Sequence, residues 1–350
     1  MTDESVRRTA EFVVEAAVWA PSVHNTQPWW FRADDGGLSL YADLGRQLMV
    51  ADPAGREMLM SCGAALFTAR LALRELGLVP TTAATHEAGD PSLVARLTWA
   101  AEAPPAAFER RLFRQVRTRR THRGGFDPGP LAPDFLAVLQ AGAERDGASL
   151  TVADVRNRAL LAGAVQTAEE TLRLSTDYVQ ELSAWVAPPL SIRPDGVPAT
   201  SYPNRPEHTD PDFPGRDFAY GHHWGMQSFG SPTSYHSPGV VCLLTTAQDR
   251  RADWINAGQA LQRLLLTSAA AGVAAAMHSQ PVEVDYVREL LRSHLCGGAY
   301  PQLVLRLGTV IQTAASVRRP AADVLQFASA AGGAEADGTP AADGTPVPAQ

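Results

Sequence analysis

Apolar side chains recur at helical spacing in two long stretches of the chain. In the first, Leu59, Cys62, Leu66, Ala69, Leu73 and Leu76 fall on one stripe at steps of three and four, which predicts a helix with one face in a core. The second stretch, AGQALQRLLLTSAAAGV from Ala257 to Val273, aligns without gaps on CGAALFTARLALRELGL from Cys62 to Leu78. Gly63 meets Gly258, Ala65 meets Ala260, Leu66 meets Leu261, Leu71 meets Leu266 and Gly77 meets Gly272. Each stretch ends at a glycine, the residue for which a left-handed C-terminal turn costs least. A strand candidate precedes each, LSLYA near Leu38 and VVCLLTT near Val240. Another follows each, LVARL from Leu93 to Leu97 and LVLRL from Leu303 to Leu307. Strand, helix, strand therefore occurs twice, which predicts a duplicated unit. Ahead of both, MTDESVRRTAEFVVEAAVWA mixes charged and apolar residues at helical spacing, and Trp29 and Trp30 read as core aromatics of the strand that follows.

Two regions break this order. From about Asp177 to Ser237 the chain is dense in proline, glycine and aromatics and lacks periodicity, which predicts a long functional cover over a site. The last stretch, 329–350, repeats ADGTP and holds no large apolar side chain, so it reads as a disordered tail.

Composition narrows the chemistry. All thirty basic residues are arginine, which excludes lysine Schiff-base chemistry and a Walker-type phosphate lysine. Anion recognition must then use guanidinium forks, which suit phosphate. A formal net charge of -7 argues against general affinity for nucleic acid or an anionic membrane. Cys62, Cys242 and Cys296 lie far apart with no CxxC pair, so a disulfide framework or zinc ribbon is not expected, and a reducing, cytoplasmic setting is. The N-terminus lacks the continuous apolar centre of a signal peptide, and no run is long enough to span a bilayer.

Two clusters carry candidate chemistry. APSVHNTQPWW, Ala20 to Trp30, places a hydroxyl (Ser22) and two amides (Asn25, Gln27) between prolines that fix the backbone, a turn suited to the heteroatom edge of a flat ring. His24 within it is a candidate proton donor. RTRRTHRGGF, Arg117 to Phe126, sets four arginines and two threonines at a helix-to-loop junction, the mixture a phosphate monoester needs. Arg318 and Arg319, just before Pro320, offer a further fork. His222 and His223 form a pair without carboxylate or cysteine partners at metal-site spacing, so no metal is expected.

APSVHNTQPW, RRTHRGGF, GQALQRLLLTSAAAGVAA and PQLVLRLG followed by RRP together resemble the nitroreductase family of flavin proteins. In ordinary members the arginine cluster precedes the SxxNxQPW turn. Here the order is reversed and the helix–strand unit occurs twice, which resembles the Acg-like branch of tandem, lidded chains. The resemblance implies an α+β fold of three layers, with a mixed, mostly antiparallel sheet flanked by helices and two fused halves forming an internal pseudo-dimer. The halves would be 1–103, carrying the turn, and 104–328, carrying the arginines, with a lid-like insertion at 177–237. It further implies FMN as cofactor, with one complete site per chain, so that a monomer suffices and a homodimer stays open. Carried over residue by residue, Arg119, Arg120, Thr121 and Arg123 hold the FMN phosphate, Arg120 mainly through its backbone, and Arg319 closes over it. Pro21, Ser22, Val23 and Asn25 line the pyrimidine side of the ring. Gly272 and the VAAAMHS that follows pass near it, and Gln166 stands where the family has an asparagine. The implied activity is electron transfer from NAD(P)H to a nitroaromatic or quinone; the rival is a protein that sequesters FMN beneath its lid.

Overall fold

The computed structural model describes residues 3–84, 90–204, 212–218, 220, 224–227, 237–310 and 316–328. The tail expected at 329–350, His222 and His223, and parts of the expected lid lie outside these residues. The chain opens with α1 (Asp3–Ala17), whose Val6, Ala10, Val13, Val14 and Ala17 stripe is buried. After the SxxNxQPW turn come the hairpin strands β1 (Trp29–Asp34) and β2 (Gly37–Ala42), then the long helix α2 (Arg56–Glu75), then β3 (Leu78–Ala84) and β4 (Leu93–Glu102). These strands form a five-stranded sheet in the order β11-β1-β2-β4-β3, where β11 (Leu325–Phe327) is a C-terminal strand lying parallel to β1. Trp29 is fully buried in this unit, and Trp30 stacks on its cross-strand partner Tyr41 with ring centroids 4.0 Å apart.

The second unit follows the short helix α3 (Ala107–Phe113) and consists of α4 (Pro133–Arg145), β5 (Ser149–Val152), α5 (Val155–Arg173) and α6 (Thr176–Ala184), then the small parallel pair β6 (Val186–Ala187) and β7 (Val197–Pro198). Next come β8 (Val240–Thr246), the second long helix α7 (Arg251–Ala270), β9 (Ala274–His278), the single turn α8 (Gln280–Glu283), α9 (Asp285–Leu295) and β10 (Tyr300–Gly308). Its sheet is antiparallel throughout, ordered β5-β8-β10-β9. Both faces of this sheet are covered. Along β8, Cys242 and Leu244 join the core under α7, whereas Val241 and Leu243 join the core under α5 and α6. A strand buried on both sides reads as a continuous apolar run, which is why VVCLLTT stands out in the sequence.

The architecture is α+β with mixed and mostly antiparallel strands, divided between two larger sheets and the two-stranded β6-β7 pair. The expected absence of periodicity from Asp177 needs correction at its start, because Thr176–Ala184 is a helix capped by the Ser175 hydroxyl. The stripe there is short, with only Tyr178 and Leu182 buried, and the prolines beyond it conceal it in sequence. Among the described residues no helix is long and apolar enough to cross a membrane, and no group of three or more His, Cys, Asp or Glu is arranged to hold a metal.

The two sheets meet through α2 and α7. A Cβ on Gly63 would lie 2.1 Å from the Ile255 carbonyl oxygen, and one on Gly258 would lie 1.9 Å from the Met60 carbonyl oxygen. In the gapless alignment Gly63 corresponds to Gly258 and Met60 to Ile255, so one contact is made twice with the partners exchanged, as across a two-fold axis. Gly258→Ala must push the helices apart or bend one of them, and is expected to cost roughly 1–3 kcal/mol by overpacking. Urea unfolding measures it, and an unchanged midpoint would contradict the close approach.

Candidate functional site

The turn between α1 and β1 is held in an unusual conformation. His24, Asn25 and Gln27 have φ of 44, 56 and 49°, a left-handed region that costs side-chain-bearing residues free energy. Side chains of the turn offset that cost. The Ser22 hydroxyl accepts the Gln27 amide at 3.0 Å. Asn25 Nδ2 donates to the Gly196 carbonyl at 2.9 Å and to Val317 at 3.3 Å, and its Oδ1 accepts from Arg318 at 3.0 Å. Gln27 Nε2 donates to Pro194, and its Oε1 accepts the Arg319 amide, at 2.9 and 2.8 Å. The turn is thus pinned to the cover segment around 194–197 and to the C-terminal segment that leads into β11.

The arginine cluster follows α3 and runs beside the edge strand β9, with the His122 amide donating to the Ala275 carbonyl at 2.9 Å. Pro21, Ser22 and Asn25 from the turn, Arg119, Arg120, Thr121 and Arg123 from the cluster, and Arg318 surround one cleft, and Gly196–Pro198 and Ser201 cover it. Regions a hundred residues apart in sequence therefore meet, as expected. Among the described residues none of Arg119, Arg120, Arg123 and Arg318 has a carboxylate within 4.0 Å. Arg119 is 5% exposed, and among the described residues its Nε and Nη1 have no hydrogen-bond partner; Arg318 Nε likewise has none there. Burial and the neighbouring guanidiniums pull Arg119 and Arg123 down to about 10 and Arg318 well below the usual arginine range. A folded-state value below the unfolded one destabilises the fold at every pH below about 10 and is relieved only above it. A bound anion relieves it at neutral pH.

The cleft opens into a wider cavity, and the two share Pro21, Ser22, Thr121 and Arg123. One wall is the turn, with Val23 and His24; a second is the first turns of α2, with Glu57, Met60 and Ser61. A third is the end of β9 and the residues after it, Ala276 to Gln280. Arg216 and Phe218 reach in from the cover, and Arg306 from β10. Ser61 ties two walls together, accepting the Val23 amide at 3.3 Å and donating to the Glu57 carbonyl at 2.7 Å.

Three histidines line this cavity, and burial beside arginines holds all three neutral. His122 is lowered to about 4, and His24 and His278 lie well below the usual imidazole range. His278 Nε2 accepts from Arg306 Nε at 2.9 Å, so its proton sits on Nδ1. Arg216 Nη1 lies 3.2 Å from His24 Nε2. Burial, Arg216 and Arg123 thus disfavour the imidazolium form that a proton donor at His24 would need.

Three sequence-predicted residues stand elsewhere. The Arg319 side chain faces Asp43 and the Gln27 carbonyl, at 4.0 and 3.3 Å, and Arg318 takes the place expected of it. Gln166 is on the exposed face of α5 and donates to the Asp212 carbonyl at 3.1 Å. Gly272 is an exposed C-terminal glycine of α7 with φ 72°, serving the helix end, and only the later part of VAAAMHS lines the cavity. Glu57, Arg216 and Arg306 line the cavity and were not predicted, whereas Arg318, offered with Arg319 as a further fork, lines the cleft. The paired RRP gave a signal for Arg318; the other three are single charged residues in unremarkable surroundings.

No family profile matches the chain. A Mycobacterium tuberculosis protein provisionally named NAD(P)H nitroreductase, Rv3131, is 32% identical over 308 residues, covering 86% of this chain and 85% of its own. The provisionally named NAD(P)H nitroreductase acg of the same organism is 28% identical over 299 residues, covering 84% of this chain and 87% of its own. A crystal structure from Anabaena variabilis, provisionally titled a nitroreductase, overlays 87% of this chain at 10% identity and a TM-score of 0.46. At the identity and coverage shared with Rv3131, the chain belongs to the nitroreductase family.

Proposed function

We propose that this chain is an FMN-dependent oxidoreductase that carries electrons from NAD(P)H to a nitroaromatic or quinone. The FMN phosphate sits in the arginine cleft and the ring in the wider cavity. The observation that carries this reading is the set of buried guanidinium nitrogens without hydrogen-bond partner or carboxylate, which a phosphate dianion matches in charge and in acceptor number. Bound there, FMN supplies the hydride chemistry, and the protein supplies placement and electrostatics. Arg119, Arg123 and Arg318 neutralise the phosphate, and Asn25 orients Arg318. Pro21 and Ser22 span both compartments and steer the linker between phosphate and ring.

We read the chain further as two related halves, 1–103 and 104–328, with 177–237 inserted as a lid. The reciprocal glycine contacts of α2 and α7 support it, as does a cleft that takes its turn from the first half and its arginines from the second. One chain then holds a complete site, and a second copy is not required. FMN sequestration stays as a second reading, because Arg216 and Phe218 of the cover reach into the cavity where a nicotinamide must stack.

Several measurements bear on this reading. Arg119→Ala, Arg123→Ala and Arg318→Ala should each weaken FMN binding by about 1.5–3 kcal/mol, the worth of one charge-assisted bond. Arg319→Ala should change it little, and flavin fluorescence titration separates the two outcomes. In flavin-free protein, inorganic phosphate at a hundred times its dissociation constant should raise stability by about 2.7 kcal/mol. That gain should vanish in the Arg119→Gln/Arg318→Gln double variant, and a thermal midpoint indifferent to phosphate in the wild type would rule out the cleft as an anion site. Anaerobic NADPH should bleach the yellow protein within the mixing time; persistent colour favours sequestration.

A further inference from the structure

We propose that Glu57 is the proton donor of this site, its Oε2–H facing the cavity and protonating the oxygen of the acceptor as it is reduced. The inference rests on the FMN reading above, and it follows from an account of the buried charges around α2 and α8. Four carboxyls meet there, Asp52, Glu57, Glu169 and Glu283, against two guanidiniums, Arg56 and Arg216. Arg123 and Arg306 stand on other walls of the same cavity, so the local hydrogen bonds, and not a count of charges, place a proton in the cluster.

Hydrogen bonding decides where a proton resides. Glu283 accepts from Arg216, from the Ser279 hydroxyl at 2.6 Å and from the Tyr178 hydroxyl at 3.3 Å. Asp52 accepts the Met58 amide at 2.8 Å, at the start of α2 where the helix favours a negative charge. Glu169 accepts from Gln280 and from the Asp217 amide. Glu57 accepts one bond, from Arg56 Nη2 to its Oε1 at 2.8 Å, and Arg56 is shared with the Gln302 and Val282 carbonyls. Among the described residues nothing donates to Glu57 Oε2, although the side chain is only 7% exposed and lines the cavity. Burial and the Glu283 charge raise this carboxyl to about 8, against the pull of Arg56 and Arg216, and the Asp52 charge raises it further. The neutral histidines leave it as the acid of the cavity at neutral pH.

The step balances. A quinone carbonyl gains two electrons and a hydrogen as a hydride equivalent, supplied by NAD(P)H through the flavin. The Glu57 Oε2–H bond breaks, its proton forms an O–H bond on the acceptor, and the carboxylate left behind regains a proton from water. Arg216, reaching in from the cover, stabilises that carboxylate and so makes Glu57 the stronger acid.

Glu57→Gln keeps the size, the neutrality and a hydrogen-bond donor but has no proton to transfer. Stopped-flow reduction of the flavin by NADPH should fall far less than its reoxidation does. Reoxidation by menadione should fall by about 10²-fold or more. The wild-type reoxidation rate should decline as pH rises through about 8, and the variant should be flat there. Glu57→Asp should recover part of the rate. In flavin-free protein, infrared difference spectra should show a protonated carboxyl that is lost over the same pH range and is missing from Glu57→Gln. A wild-type rate and pH profile in Glu57→Gln overturns the proposal, as does the lack of that carboxyl signal in the wild type. Wild-type protein that holds no flavin overturns the cofactor reading instead, and this proposal with it.

Discussion

The structure depends on one electrostatic constraint: guanidinium groups gathered in a buried cleft with no carboxylate among them. Arginine cannot escape such a site by giving up its proton, because even when depressed to about 10 it is charged at neutral pH. A lysine cluster could neutralise itself, and this chain has no lysine at all. The charge has to be met by something that binds. The distorted turn, the crossing of the C-terminal segment to β1 and the strap over residues 194–201 all converge on that cleft, each through hydrogen bonds to the others.

The fold supplies rigidity to hold these parts in place. With α2 and α7 touching backbone to backbone at Gly63 and Gly258, there is little freedom for one sheet to slide over the other. The turn rests on α2 through Ser61, and the arginine segment rests on β9 through His122. The cleft therefore keeps its width because two contacts, one from the Ser61 hydroxyl to the turn's backbone and one between the backbones of His122 and Ala275, define its opposite walls.

Much of this was legible in the sequence, for physical reasons that differ by element. The two long helices showed because their buried stripes are long and end at glycine, and β8 and β10 showed because strands buried on both faces carry apolar runs, broken in β10 by Gln302 and Arg306. The turn and the arginine cluster showed because unusual backbone and concentrated charge demand unusual residue combinations. β3, β9 and β11 gave weaker signals, being short or edge strands with half-exposed faces. Of the two arginines of RRP offered as a fork, Arg318 lines the cleft and Arg319 faces Asp43, because an extended backbone turns neighbouring side chains to opposite sides. Glu57 and Arg216 were silent: a lone acid near a helix start and a lone arginine in a proline-rich loop gain their roles only through partners distant in sequence.

The cover poses the remaining physical question, and the cavity's own charges answer it in part. A lid that serves only to exclude water needs apolar contact, which Phe218 and Phe213 provide. This one also carries Arg216 into a pocket of carboxyls, bonded to Glu283 at 2.8 Å and beside Ser279. A positive charge delivered there lowers the cost of ionising the neighbouring acids. The cover's position is thereby linked to the protonation of the cavity, since whatever holds Arg216 in place also favours the loss of a proton from Glu57, and a neutral cluster holds Arg216 less firmly. On the oxidoreductase reading proposed above, that linkage places the stronger acid where a proton is consumed.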